Sequence, residues 1–291
     1  MIYQIVLLVL LVILLASLIA LAVLSHRNIP KAPADPSRTF LPYYTSTVSF
    51  LISATFLYII VNAIGIATRY AYYSYSGRLY DAVTRIATVA NLMQSLSLVA
   101  LIQTIARFAI GVRVAASSGA YTSSKFAKTI NVLTIISAIT FVLWFIWQQV
   151  ALTLYRRYLP GTTAASLAFA IISLIGYAVM LIAGITTLVY GVKAFKVSKG
   201  KQDCTGIGKR VVIVASILLL ILAWSIVNGI LFGMTLGGSF ASWWDLIDIF
   251  IGKFTALGVL TVVYLVAKRK EGGLWSEASL ESGRNSGEVV V

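Results

Sequence analysis

Charge is what this chain has least of. Only 11% of its 291 residues are Asp, Glu, Lys or Arg, against roughly 25% in an ordinary soluble domain. Just nine are acidic. The one cysteine, Cys204, excludes any disulfide within the chain. The one histidine, His26, excludes the multi-histidine metal centres of membrane hydroxylases and hydrolases. Its position outside the apolar runs also removes serine–histidine chemistry from the membrane interior. No aspartate pair falls in the middle of an apolar run, so an intramembrane aspartyl protease would lack its dyad. Gly206-Ile-Gly208-Lys209 lacks the full GxxxxGK[ST] spacing of a phosphate loop, and Arg210 follows its lysine. No Asn-x-Ser/Thr acceptor for N-glycans occurs. No enzymatic activity, metal or cofactor is expected.

Apolar residues fill the space. They make up 59% of the chain, with a mean hydropathy of +0.93. One water-soluble core of this size cannot hide that much apolar surface. Seven runs are long enough to cross about 30 Å of hydrocarbon, near 2–24, 46–67, 86–107, 130–153, 164–190, 211–233 and 246–267. Lipid cannot satisfy backbone polar groups, and no barrel-like alternation is present, so the runs are helices. The expected fold is all-α, a membrane bundle of seven transmembrane helices.

The net charge of +14 would suggest nucleic acid in a soluble protein. Here it sorts by side of the membrane, so no nucleic-acid partner is expected. Connections after the first, third and fifth spans, with the tail, form one side. They hold Arg27, Lys31 and Arg38; Arg107, Arg113, Lys125 and Lys128; Lys193, Lys196, Lys199, Lys201, Lys209 and Arg210; Lys268, Arg269, Lys270 and Arg284, 17 in all. The other side holds five: Arg69, Arg78, Arg85, Arg156 and Arg157. The positive-inside rule makes the first side cytosolic, with the N-terminus outside. Cleavage of the first span as a signal peptide would invert this split. Residues 1–24 also carry no charge to form an n-region. An uncleaved first helix is expected.

The connections have their own character. Pro30, Pro33, Pro36 and Pro42 make the first a stiff, extended spacer on the membrane face. The first outer connection carries Tyr70, Tyr72, Tyr73, Tyr75 and Tyr80, suited to the headgroup level. A ligand vestibule is the alternative for them. Lys193, Lys196 and Lys199 fall on a similar side of a helix continued past the fifth span. They face either the anionic cytosolic leaflet or a cytosolic protein partner. Residues 268–291 are polar and rich in Gly and Ser, hence expected to be disordered. No internal repeat supports an inverted-repeat transporter.

An ionisable group inside a span is costly and therefore a functional candidate. Lys253 is the clear case. Asp248 is five residues away, about 140° around an α-helix, and poorly placed to pair with it. Asp245 has the better angle but lies more than two turns off. A partner on another helix is expected instead, from Asn228, Asn91, Gln94 or Asp81. Elsewhere the third span carries Asn91, Gln94, Ser95, Ser97, Gln103 and Thr104, without a continuous polar stripe. Interhelical hydrogen bonds account for them. Gly229, Gly233 and Gly237, and Ala63 with Ala67, have the spacing of close helix approach.

The number and orientation of spans resemble G-protein-coupled receptors over residues 2–291. The match is topological. Where rhodopsin-like receptors have Asp-Arg-Tyr, this chain has Ile105-Ala106-Arg107-Phe108. None of its runs contains proline, and their outer disulfide cannot form. Lys253 after Asp248 is similar to the Asp–Lys pair of microbial rhodopsins, which hold retinal on a lysine of the seventh helix. The spacing here is five where that family uses four. Arg78 and Asp81, similar to part of that family's third helix, precede the span, and the sixth span offers only Trp224. The exit Arg269-Lys270-Glu271-Gly272-Gly273-Leu274-Trp275 resembles fungal multipass proteins of uncharacterised function. A receptor-like sensor or scaffold is the leading expectation. A transporter or lipid-handling protein using Lys253, Asp245 and Asp248 in an outer polar cavity is the other.

Overall fold

A computed structural model of the chain describes residues 2–29, 35–70, 77–117, 124–155, 162–199, 202–234 and 243–268. Every regular element among them is helical. They are α1 (Ile2–Asn28), α2 (Leu41–Tyr70), α3 (Gly77–Ala116), α4 (Ser124–Tyr155), α5 (Thr162–Ser198) and α6 (Gln202–Met234). A seventh apolar span, Trp244–Lys268, is composite. It joins α7 (Trp243–Asp248), a π-helical stretch Ile249–Phe254 and α8 (Thr255–Lys268). Each of the seven expected spans matches a helix long and apolar enough to cross a membrane.

α3 is the axis of the bundle. Some 83% of its most apolar window is buried, against 17–50% in the other six spans. It touches α2, α4, α5 and α6. Its 40 residues extend about 60 Å, twice the hydrocarbon thickness. This corrects the expected connections after the third and fifth spans. Arg107 and Arg113 lie on α3 itself, Lys125 and Lys128 begin α4, and Lys209 and Arg210 lie on α6. Long helices carry these charges out of the lipid, so no loop is needed to hold them.

Inside and outside are chosen by residue shape more than by polarity. In α1 the buried stripe is Leu7, Leu11, Leu14, Leu18, Leu21 and Ser25, spaced three and four apart on one face. Val9, Val12, Ile13 and Ile19 point outward. In α4 the exposed series is Val132, Ile135, Ile139, Leu143, Ile146 and Val150. Such a stripe would drive aggregation in water and is the ordinary surface of a helix in lipid. Close approach occurs at Gly176 of α5, where an added Cβ would strike Thr140 of α4. At Gly208 of α6 it would lie 3.1 Å from the Phe195 Cα. The glycines expected to do this, Gly229, Gly233 and Gly237, have side-chain positions or backbone outside the described residues.

The first connection is not an extended spacer where it is described. Residues 30–34 lie outside the described residues. Pro36–Arg38 form a 3₁₀ turn, with Asp35 as its N-cap. The Asp35 carboxylate accepts from the Ser37 backbone N–H at 2.9 Å and from the Ser37 hydroxyl at 2.7 Å. Arg38, a surface charge by its place in the sequence, is 3% exposed. Its Nη2 donates to the Ala267 carbonyl at 2.8 Å. That carbonyl belongs to the last turn of α8, which has no partner within its own helix and carries the negative end of the helix dipole. Burial pulls the guanidinium below its ordinary pKa, while Asp35 pulls the other way. Beside this lock Asn28 Nδ2 donates to the Tyr264 hydroxyl at 3.0 Å, and Ser25 and Tyr44 share a hydrogen bond at 2.8 Å. Pro42, expected between spans, sits in the first turn of α2, where no intrahelical N–H is missed.

Arg38→Met removes a charged donor from the end of the seventh span. It is expected to cost about 2–3 kcal/mol, read as a lowered thermal unfolding midpoint of the protein in detergent. An unchanged midpoint would show the lock to be energetically silent.

Candidate functional site: a lysine and an aspartate on a π-helical turn

The seventh span departs from α-geometry where its ionisable residues sit. The backbone N–H of Thr255 reaches back to the carbonyl of Phe250, five residues earlier. The Thr255 hydroxyl donates to the same carbonyl at 2.8 Å. In an i→i+5 helix, residues five apart lie one above the other. That overturns the expectation for Lys253. Its Nζ is 4.0 Å from Oδ2 of Asp248, the residue an α-helix would have turned away. Its ion-pair partner comes from the same span, and its described contact on another helix is the Tyr58 ring of α2, which was not among the candidates Asn228, Asn91, Gln94 and Asp81.

Lys253 is 6% exposed. Besides the aspartate, its ammonium lies 3.9 Å from the centre of the Tyr58 ring on α2, within cation–π range. The Tyr58 hydroxyl donates a short hydrogen bond to Asn91 Oδ1 on α3. The other oxygen of Asp248 accepts from Trp224 Nε1 at 3.0 Å and, through a short bond, from Asn228 Nδ2. Both donors are on α6. Trp244 Nε1 then donates to Asn228 Oδ1 at 2.8 Å, and the Trp224 and Trp244 rings stack at 5.0 Å. A buried charge is tolerable only when paired and hydrogen-bonded. Four spans meet that requirement here: α2, α3, α6 and the seventh.

Several sequence candidates therefore converge, in altered roles. Asn228 serves Asp248, and Asn91 acts through Tyr58. Gln94 is in none of these contacts; its buried side-chain oxygen accepts no hydrogen bond among the described residues. Asp245, one turn before Asp248, is exposed. The Asp248 side chain is 35% exposed against 7% for Lys253, so the carboxylate is the less enclosed of the pair. Beneath them Leu7, Leu11 and Ile249 form an apolar cluster with Tyr58, Ile59 and Phe254 around it. Sequence reasoning missed Tyr58 and Trp244. The one available signal was that Asp248, Lys253 and Thr255 make sense together only with an extra residue in the turn.

Of the polar residues of α3, Asn91, Gln103 and Thr104 make the expected interhelical hydrogen bonds, whereas the Ser97 hydroxyl donates to the Gln94 carbonyl of its own helix. Gln103 Nε2 donates to Asn131 at 3.0 Å and to Thr134 at 2.6 Å, both on α4. Arg107 joins the same Asn131 oxygen at 2.9 Å. Thr104 and Thr47 pair at 3.2 Å. At the other end Arg85 bonds Gln149 and Thr153 of α4, each at 3.0 Å.

Of the basic residues near the fifth span, Lys193, Lys196 and Lys199 are all exposed, while Ala194 and Ser198 between them are buried. One face of α5 is thus basic. Lys209 is exposed and Arg210 partly so. Lys201, the tyrosines at 72, 73 and 75 and the tail from 269 lie outside the described residues; Tyr70 and Tyr80 are helical.

Among the described residues seven helices are long and apolar enough to cross a membrane, which makes this chain a multipass membrane protein. No family model matches it, and no curated protein does either.

Asp248→Leu leaves the lysine ammonium buried without its counter-ion and is expected to cost about 3–5 kcal/mol. The double variant Asp248→Leu/Lys253→Met should recover most of that loss. A double-mutant cycle on thermal unfolding measures the coupling, and additive losses would refute it.

Proposed function

We propose that this protein is a non-enzymatic, receptor-like sensor, with its N-terminus on the outer or lumenal side of its membrane and its C-terminal tail in the cytosol. The observation that carries this reading is the asymmetric Asp248–Lys253 pair. Its carboxylate is partly exposed, and its ammonium is buried in a network that joins four spans. A polar ligand that engages Asp248 competes directly with the bond holding those spans together. π-helical turns recur at functional sites for this reason, since they hold side chains in positions a regular helix cannot.

The orientation rests on the 17-to-5 division of basic residues. It puts the Asp248 end outside and the Arg38 end at the anionic cytosolic leaflet. The exposed face of Lys193, Lys196 and Lys199, with Lys209 and Arg210, then meets lipid headgroups or docks a cytosolic protein. Enzymatic activity is not part of this reading, because the sequence lacks the residue sets that membrane enzymes use.

The exposed Asp245 beside the partly exposed Asp248 also favours a second reading, a transporter or lipid-handling protein using the outer end of the seventh span. The two part at one variant. In the transporter Lys253→Met abolishes substrate flux across proteoliposomes while the fold persists. In the sensor it changes recruitment of cytosolic protein and leaves flux at background.

Neutralising Lys193, Lys196, Lys199, Lys209 and Arg210 to Gln is expected to reduce binding to anionic vesicles and cytosolic partners at least tenfold. Equal binding by the variant would refute the role of this face. Glycan acceptors introduced near Gly161 are expected to be modified and those near Gly200 not; the opposite pattern inverts the topology.

A further inference from the structure

We propose that the π turn is a register switch, through which the Asp248–Lys253 pair controls the Arg38 lock at the opposite end of the bundle. This rests on the reading of that pair as the sensing element and states how its signal crosses the membrane.

The argument begins with helix geometry. A π turn is an α-helix holding one surplus residue. Such turns are rare because α-geometry is intrinsically preferred, so something must hold the surplus in place. Here two contacts do. The ion pair joins residues five apart, which align only in π-geometry; in an α-helix they diverge by about 140°. The Thr255 hydroxyl on the Phe250 carbonyl secures the same turn from the next residue. Breaking the ion pair removes the restraint that ties the turn to Asp248. The turn then relaxes to α-geometry, and the surplus residue passes into one flank.

That relaxation has a fixed size. One residue of an α-helix is about 100° of rotation and about 1.5 Å of rise. α7 is held by Trp224 and Asn228 of α6 through Asp248 and Trp244. α8 has no such polar clamp at its near end: its described hydrogen bonds to other elements lie at its far end, on Ala267 and Tyr264, and Ala256, Val259, Leu260 and Val263 pack apolar faces into the core, so it is the flank that turns. Rotating it moves every contact it makes at its far end, about 28 Å from Asp248. The Ala267 carbonyl leaves Arg38, and Tyr264 leaves Asn28. Ala267, fully buried now, turns towards the exposed direction occupied by Leu265 and Lys268. The 3₁₀ turn of Pro36–Arg38 loses its anchor on the seventh span. A ligand competing for Asp248 therefore changes the opposite face of the bundle by a discrete step.

The test uses a thiol reporter. Full-length protein with Cys204→Ser and Ala267→Cys carries one thiol, in the last turn of α8. Labelling by a water-soluble maleimide is expected to be slow. Adding Lys253→Met, or Asp248→Asn as an independent way to break the pair, is expected to raise the rate at least tenfold. The decisive variant deletes Ile251. It removes the surplus residue, gives an ordinary α-helix and leaves Asp248 and the lysine four apart, still on one face. In that background Lys253→Met is expected to label as slowly as the parent. Fast labelling there would mean that loosening, not register, exposes the thiol, and would overturn the proposal. Unchanged labelling in both pair-breaking variants would overturn it as well. No partner or ligand enters this experiment, so the sensor reading stands or falls separately, on cytosolic recruitment. A switch without recruitment refutes the sensor; recruitment without the switch refutes the register mechanism.

Discussion

A lysine ammonium inside hydrocarbon has to be answered by protein, because the bilayer offers nothing else. Asp248 and the Tyr58 ring answer it, and the rest of the seventh span bends to let them. The aspartate reaches the lysine only if the helix between them takes in a surplus residue. The aspartate's second oxygen must then be satisfied too, which draws in Trp224 and Asn228, and Asn228 in turn engages Trp244. The Tyr58 hydroxyl needs an acceptor and finds Asn91. One buried charge thus fixes the relative positions of α2, α3, α6 and the seventh span. The same rule operates at the other end with the sign reversed. There the unmet partner is the carbonyl end of α8, and Arg38 is the charge that meets it.

The two ends differ in how the charge is used. Arg38 is held by neighbours on both sides, the Asp35-capped turn below it and the helix terminus above. Lys253 is held by a carboxylate that is itself partly open. The first arrangement resists exchange, since no water or ligand can substitute cheaply for a buried carbonyl partner. The second invites it.

The spans were legible in the sequence because about twenty consecutive apolar residues match the thickness of a bilayer and little else in a protein. All seven lie within a few residues of where composition puts their cores. Their true lengths were hidden. Arg107 ends an apolar run by composition, yet α3 continues to Ala116, because a helix leaving the lipid need not stop there. Faces were hidden as well. In α1 both the leucine stripe and the valine–isoleucine surface are strongly apolar, so no periodicity in polarity separates them. The site was partly legible. Lys253, Asp248, Asn228 and Asn91 stand out as costly groups within spans. Their connections did not follow, because a regular α-helix of about 3.6 residues per turn sends Asp248 and Lys253 to different faces. A π turn is settled by side-chain contacts between distant segments. Tyr58 gave no signal of its own, since a tyrosine in a span is unremarkable.

The central placement of α3 bears on how the protein is made. Chains emerge from the ribosome N-terminus first, so α3 reaches the membrane ahead of α4, α5 and α6. Gln103 and Arg107 then have no Asn131 or Thr134 to bond, and a helix that ends up as the most enclosed of the seven begins with much of its circumference facing lipid. Assembly is therefore a matter of later helices arriving to cover an earlier one. A truncated chain ending before α4 would leave its most polar transmembrane surface bare, the kind of intermediate that membrane quality control is built to recognise.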